Sequence, residues 1–263
     1  MNEPVMLESI NSAPDIVSLV SYIPIPGYGV LPVNAFVIKS TEPVLVDTGM
    51  ASVRTDFMAS LKAAINPKEL RWIWLTHIDM DHIGNLAEVL SEAPNARIVT
   101  SFIGMAKLGL HGIPLDRAYL LNTGQTLDVG DRQLLAIRPP TYDAPETTAL
   151  FDQKSGTLIS ADSFGAILEK PVNNAADIDQ KALKEGSHIW ASIDAPWLSI
   201  VDNDKFANTL SAIEKLDSKI ILSSHLPPAK NMSNALLGIL SEANLAPAFV
   251  GPDQAALEKM MAA

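Results

Sequence analysis

Short apolar runs bounded by turn residues alternate with segments of helical periodicity along the chain. Two runs near the start, "NAFVIKS" (34–40) and "PVLVDTG" (43–49), predict strands joined by a tight turn at 40–42. Apolar residues then recur at every fourth position in "SVRTDFMASLKAAI" (52–65). This spacing predicts a helix, with Ser52 as its N-cap.

The same alternation continues towards the C-terminus. It predicts strands over 71–75, 96–101 and 219–224, hairpins over 126–140 and 147–162, helices over 84–93 and 203–216, a helical excursion over about 163–203 and a helical tail over 231–263. Strands that alternate with helices predict an α/β protein with layered sheets. Since no linker or low-complexity segment interrupts the chain, we predict a single domain over 1–263.

Four ligand-type side chains follow directly on the apolar strand predicted over 71–75. His77 and Asp79 are two positions apart, so an extended chain points them the same way. Asp81 and His82 follow where the chain turns into the next helix. A polar loop is the alternative interpretation, but imidazoles and carboxylates at this density favour a site for zinc, iron or manganese.

Two further strand ends carry the same chemistry. Asp162 closes the apolar run in "LISADSFG" (158–165), and His225 closes the run in "KIILSSHLPP" (219–228). Taken alone, each is typical of a turn or loop residue. Because ligand sites in open α/β sheets gather at the ends of strands, we expect these side chains to join the first motif in one site.

Composition excludes several classes of function. The formal net charge is −11 and no run of Lys or Arg is present, which argues against a nucleic-acid partner. The absence of cysteine excludes disulfides, iron–sulfur clusters and thiol nucleophiles. We also expect a cytoplasmic protein without a membrane partner, because the N-terminus does not resemble a secretory signal and no apolar stretch approaches the roughly 20 residues of a membrane span.

The motif "THIDMDHIG" (76–84) resembles the His-x-His-x-Asp-His signature of the metallo-β-lactamase superfamily. "VDTG" (46–49) is similar to the early aspartate motif of that superfamily, in which the residue equivalent to Asp47 supports the metal loop from behind. The resemblance extends from about residue 15 to residue 230. It implies a metallo-β-lactamase-like four-layer αββα sandwich with a dinuclear metal site between its two sheets.

Details within the motif resemble the flavodiiron subgroup. There a carboxylate replaces the second histidine of the signature, as Asp79 does here in a shorter form than the usual glutamate. "LISADSFGA" (158–166) is similar to the segment that carries the metal-bridging aspartate. The resemblance implies that one metal binds His77 and Asp79, that the other binds Asp81, His82 and His225, and that Asp162 bridges the two.

One departure from the subgroup concerns a further histidine ligand of the first metal. The matching region, "PPTYDAPETTAL" (139–150), contains no histidine, and Tyr142 or Asp143 falls at about that place. His111 and His188 are the uncommitted histidines. The alternatives are a dinuclear site completed by one of these four residues, Asp143 being the one that we include among the ligands, and a mononuclear site.

The carboxylate-rich ligand set favours two divalent ions, with iron preferred over zinc or manganese. The resemblance then implies a homodimeric protein that binds or reduces O₂, NO or peroxide. Residues 226–263 are too few for the flavodoxin domain of flavodiiron proteins, so we expect a separate redox partner to supply electrons.

Two alternatives remain at this point. One is a hydrolase that uses metal-bound hydroxide on an ester, thioester or lactone, with Asp81 as the catalytic residue that orients or deprotonates the water. The other is a non-catalytic metal-binding sensor.

Overall fold

The computed structural model describes residues 3–262. Its strands are β1 (Val5–Met6), β2 (Ile10–Ala13), β3 (Ile16–Ile25), β4 (Gly29–Ile38), β5 (Val44–Val46), β6 (Trp72–Trp74), β7 (Arg97–Thr100), β8 (Ala118–Leu120), β9 (Thr126–Asp128), β10 (Gln133–Ile137), β11 (Ala149–Asp152), β12 (Thr157–Ile159), β13 (Ile220–Leu222) and β14 (Ala229–Lys230). Its α-helices are α1 (Arg54–Ala64), α2 (Met80–Ile83), α3 (Leu86–Glu92), α4 (Phe102–Leu110), α5 (Gln180–Asp194), α6 (Asn203–Glu214), α7 (Ser233–Ser241) and α8 (Gln254–Ala262).

The strands form two sheets. In the first, the order is β1-β3-β4-β5-β6-β7-β8, with β2 also paired to β3, and the strands from β5 to β8 are parallel. In the second, the order is β14-β13-β12-β11-β10-β9, and only β12 and β13 are parallel. The parallel strands are short and apolar on both faces, as expected for strands that are covered on both sides.

Three apolar cores separate four layers. Side chains from the facing sides of the two sheets, including Phe36, Trp74 and Leu150, form the central core. The outer face of the first sheet packs on α1, α3 and α4, and that of the second sheet packs on α5, α6 and α7. The predicted αββα sandwich is therefore confirmed. Its extent as a single domain over 1–263 stays a prediction.

The long hairpin of β3 and β4 begins earlier than the strand predicted over 34–40. Ten residue pairs join its strands, and Pro24 and Pro32 lie within them. Proline argues against a strand because it lacks an N–H donor. Both prolines are tolerated here because β1 and β5 pair with other residues of the hairpin and leave these positions free on one side.

The helix boundaries also differ from the predicted ones. Ser52 does not cap α1, because residues 51–53 form a 3₁₀ turn and the N-cap is Val53, without a side-chain cap. The helix predicted over 84–93 is confirmed as α3, two residues shorter at its start, and the separate short helix α2 ends just before Gly84. A Cβ on Gly84 would lie 2.4 Å from the backbone nitrogen of Ala51, so the chain approaches too closely there for any side chain.

The excursion and the tail are helical only in part. Residues 163–174 are irregular, and Leu168 among them forms an antiparallel bridge with Val30 at the start of β4. Helix α5 follows, with Asp179 as its N-cap. The tail contains α7 and α8, with mostly irregular chain between them. Within residues 3–262, no helix has the length and apolar character needed to cross a membrane.

Candidate metal centre

The ends of three strands deliver the predicted ligands to one place. β6 ends at Trp74, and two further buried residues lead to His77. The short helix α2 then places Asp81 and His82 in its single turn. Asp162 follows β12 and His225 follows β13, which are parallel neighbours in the second sheet. Parallel strands end at the same edge, so both side chains face the first motif across the sandwich.

The Asp162 carboxylate lies at the middle of the cluster. Its Oδ2 is 3.3 Å from His77 Nε2. Its Oδ1 is 3.1 Å from His82 Nε2 and 3.2 Å from His225 Nε2. One carboxylate is therefore shared by imidazoles from three segments of the chain.

The remaining predicted ligands divide into two groups around Asp162. In the first ligand group, His77, Asp79 and Asp143 offer ligand atoms that all lie within 4.8 Å of one another. In the second ligand group, Asp81 Oδ2 is 3.4 Å from His82 Nε2 and 3.6 Å from His225 Nε2. All seven predicted residues thus lie in one cluster, and their role as metal ligands stays a prediction.

Hydrogen bonds fix the tautomer of each imidazole. His225 Nδ1 donates to the Pro32 carbonyl at 2.7 Å, and His82 Nδ1 lies 2.9 Å from Asp47 Oδ2. His77 Nδ1 lies 3.1 Å from the Thr76 hydroxyl, which itself donates to Asp47. With Nδ1 as the donor, each Nε2 presents a lone pair to Asp162, which is the orientation of metal-ligating histidines.

The cluster contains buried polar atoms that need a cation or protons. Neither His82 Nε2 nor Asp162 Oδ1 has a hydrogen-bond partner among the described residues, although both are buried. Two lone pairs that face each other at 3.1 Å repel unless a positive charge lies between them. Ligands about 2 Å from one ion are themselves about 3–4 Å apart, so the spacing of these side chains fits a bound metal.

The electrostatics of the metal-free cluster follow from the same geometry. Burial raises the pKa of the Asp162 carboxyl, but the three imidazoles around it outweigh burial and hold that pKa well below its ordinary value. Burial lowers the pKa of His82, yet the carboxylates of Asp81 and Asp162 bring it well above the ordinary value. The pKa of His225 is likewise raised, because Asp162 outweighs burial. Protons and cations are therefore competitors for this cluster.

Asp143 lies on the side of the cluster that has excess negative charge. Burial raises the pKa of its carboxyl, and the carboxylates of Asp79 and Asp162 add to that increase against the opposing effect of His77. By contrast, the pKa of Asp81 is lowered, because His82 and His225 outweigh the effect of burial.

Asp47 supports the loop of residues 76–82, called the motif loop below, through hydrogen bonds to Thr76 and His82, as the resemblance implies. It adopts a left-handed conformation with φ of 58° and accepts hydrogen bonds from the Thr76 backbone and hydroxyl at 2.8 and 2.7 Å. Asn85, which sequence reasoning did not identify, donates to the carbonyls of Thr48 and Met50 and so fixes the loop after Asp47.

Two other candidates for the missing histidine, His111 and His188, lie outside the clustered ligand groups of the described residues. His111 is exposed at the end of α4, and His188 Nε2 donates to the Ile239 carbonyl at 2.9 Å. The Tyr142 ring packs against Trp197, with centroids 5.5 Å apart. Of these four candidates, Asp143 is the one whose carboxylate joins His77 and Asp79.

Two residues of α5 that sequence reasoning missed also lie at the cluster. The Trp190 ring packs on the His225 ring, with centroids 4.4 Å apart, and Asp194 offers an oxygen within 4.8 Å of those of Asp143 and Asp162. The sequence does carry a signal for Asp194. Its helical spacing from Leu183 and Ala191 places this acid on the buried face of α5.

Comparisons with known proteins place the chain in a family. The metallo-beta-lactamase superfamily model matches residues 28–225. The type A flavoprotein fprA of Rhodobacter capsulatus is 30% identical over 207 residues, which cover 74% of this chain and 44% of that protein. The anaerobic nitric oxide reductase flavorubredoxin of Pectobacterium carotovorum is 29% identical over 134 residues, which cover 50% of this chain and 27% of that protein. The chain thus spans less than half the length of either relative.

Solved structures show the same fold. The rubredoxin oxygen:oxidoreductase of Desulfovibrio gigas superposes with a TM-score of 0.78 at 17% identity, over 90% of this chain and 61% of that one. A flavo di-iron protein variant from Thermotoga maritima has a TM-score of 0.76 at 19% identity, over 93% of this chain and 62% of that one. Since the family match runs from the residue before β4 to His225 and includes strands of both sheets, this chain belongs to the metallo-β-lactamase superfamily.

Proposed function

We propose that this chain holds a dinuclear non-haem iron centre and uses it to bind or reduce O₂, NO or peroxide. The observation that carries the proposal is the shared carboxylate of Asp162, whose Oδ2 faces His77 and whose Oδ1 faces His82 and His225. A carboxylate between two ligand groups suits two adjacent ions, as in other two-metal sites.

The ligand chemistry supports iron over zinc or manganese. The cluster combines three imidazoles with at least four carboxylates, and the chain has no thiolate. Hard oxygen ligands favour iron or manganese, and imidazoles suit iron. Among the relatives, one is named a nitric oxide reductase and a structural neighbour is named an oxygen oxidoreductase, which supports these two substrates.

Bound iron would supply electrons and open coordination positions for a small oxidant. The protein would orient the three imidazoles through their Nδ1 hydrogen bonds and exclude bulk water from the buried side of the centre. Asp79 and Asp143 are at least partly exposed, so a small molecule would approach from their side.

Electrons would come from a separate redox protein. The names of the relatives include flavin and rubredoxin redox groups, which supports such a donor. A homodimeric state stays a prediction of the family resemblance, and a cytoplasmic location stays a prediction of the sequence pattern.

Anaerobic reconstitution tests the proposal. Metal-free protein is loaded with ferrous iron, its iron content is measured, and its absorption and oxygen consumption are recorded on exposure to air with a reductant. We expect two irons per chain, a near-UV band after exposure to air and consumption of oxygen. His82→Ala and Asp162→Ala are expected to lose most of the iron, because each removes a buried ligand.

The matched control is His111→Ala, which removes an exposed imidazole outside the cluster. Unchanged iron content in both His82→Ala and Asp162→Ala would refute the assignment of the site. A zinc-loaded, colourless protein that cleaves a thioester or lactone would instead support the hydrolase, in which Asp81 orients the water. Stable iron binding without turnover of any of the three oxidants would support the sensor.

A further inference from the structure

Asp194, the last residue of α5, lies at the cluster although no motif points to it. Its side chain is buried, with 6% exposure, and its Oδ2 has no hydrogen-bond partner among the described residues. One of its carboxylate oxygens lies within 4.8 Å of those of Asp143 and Asp162. Because an unpaired buried carboxylate is costly, this position requires a compensating group.

Local structure does not supply that compensation. The C-terminal end of a helix carries partial negative charge and disfavours a carboxylate, and Asp194 lies at that end of α5. The acidic groups with which it clusters, Asp143 and Asp162, add further negative charge. A cation shared with these acids would stabilise all three.

The packing of α5 holds Asp194 in this place. Trp190, four residues earlier and therefore on the same helix face, donates from Nε1 to the Asp162 carbonyl at 3.0 Å. A Cβ on Gly165 would lie 2.5 Å from Trp190 Nε1 and 2.7 Å from His225 Cβ. The missing side chain at Gly165 thus lets the helix approach the cluster closely enough for Asp194 to reach it.

We propose that Asp194 supplies a carboxylate oxygen to the metal position of the first ligand group, as a further ligand beside Asp143. The inference rests on the dinuclear centre proposed above. The ligands of that position are then His77, Asp79, Asp143, Asp162 and Asp194. One imidazole among four carboxylates is a harder set than the two imidazoles and two carboxylates of the other position, so the first position selects manganese or iron over zinc more strongly.

A manganese titration tests this role without measuring activity. The metal-free full-length chain is titrated with Mn²⁺, and free Mn²⁺ is followed by its electron paramagnetic resonance signal. We expect the unmodified chain to bind two ions, and Asp194→Asn to retain one and to bind the second at least tenfold more weakly. The matched control is Glu185→Gln, which makes the same acid-to-amide change at an exposed position of the same helix.

Asparagine keeps a hydrogen-bond donor towards Asp162 but removes the charge. If Asp194 only donates a hydrogen bond, both ions bind to Asp194→Asn with unchanged affinity, and the inference is overturned while the dinuclear centre stands. Failure of the unmodified chain to bind two ions refutes the dinuclear centre itself. Circular dichroism of the metal-free proteins establishes that the variants are folded.

Asp194→His provides a second variant should Asp194→Asn not fold. It replaces the carboxylate with an imidazole. We expect two bound ions and a preference shifted from manganese towards zinc at one position. A preference identical to that of the unmodified chain would contradict the inference.

Discussion

At the scale of single residues, orientation of the imidazoles matters as much as their identity. Asp47 shares one carboxylate between Thr76 and His82, so the start and the end of the motif loop are held by the same side chain. Hydrogen bonds to a charged group are worth about 1.5–3 kcal/mol each, and they also keep His82 in the tautomer that presents Nε2.

Replacement of Asp47 by asparagine tests this orienting role. The amide keeps the size of the side chain, but it cannot accept from the Thr76 backbone, the Thr76 hydroxyl and His82 Nδ1 together. We expect the affinity for the metal bound by His82 to fall by about 10–100-fold in Mn²⁺ or Fe²⁺ titrations. Asp56→Asn, an exposed change on α1, serves as the control, and equal affinities for the two variants would contradict the role of Asp47.

At the scale of elements, the break between α2 and α3 determines where two ligands lie. A continuous helix from residue 80 would move the chain away from the 49–51 segment, which contacts Gly84 closely. The Thr48 backbone N–H also donates to the His82 carbonyl at 2.6 Å, so α2 is attached to the loop after β5. The ligand loop is therefore positioned by its neighbour as well as by its own sequence.

The Gly84→Ala substitution probes this close approach. Its Cβ would lie 2.4–2.7 Å from three backbone atoms, which cannot move as a flexible side chain would. We expect a loss of about 1–3 kcal/mol in the free energy of unfolding, measured with urea on metal-free protein. Gly238→Ala on α7 is the control, since no described atom beyond the adjacent helix backbone lies within 4 Å of its Cβ, and there we expect a gain of about 0.5–1 kcal/mol. Equal effects of the two changes would argue against a tight contact.

At the scale of the whole molecule, the cluster lies where the two sheets meet, and its charges affect the stability of the sandwich. The raised pKa values of His82 and His225 mean that protons stabilise the metal-free fold. The stabilisation by these bound protons is fully present below the ordinary imidazole pKa of about 6.5, and it is lost as the pH rises through the raised pKa values of the folded state. A bound metal replaces those protons and keeps the cluster neutralised at higher pH.

Metal removal should therefore lower the melting temperature, and more so at alkaline pH. With free metal at about 100 times its Kd, binding contributes about 2.7 kcal/mol, which corresponds to roughly 5–10 °C for a domain of this size. We expect calorimetry of chelator-treated and metal-loaded protein to give a difference in Tm that widens from pH 6 to pH 8.5. A difference that stays constant or narrows over this range would contradict the competition between protons and metal.

Sequence by itself determined the features that depend on local chain geometry. Alternating apolar runs predicted an α/β protein with layered sheets, because strands and helices must bury their apolar faces against each other. The close spacing of ligand-type residues from His77 to His82 predicted a metal-binding loop. In so short a segment, few backbone conformations keep these side chains far apart.

Only the tertiary structure decided the features that depend on contacts distant in sequence. It showed that Asp143, and not His111 or His188, joins His77 and Asp79, and it brought Asp194 to the same side from a helix without a recognisable motif. It also showed why Pro32 can lie in a strand and why a helix breaks at Gly84. In each case the structure depends on a contact with a segment distant in sequence, and the local pattern of apolar and polar residues carries no information about that contact.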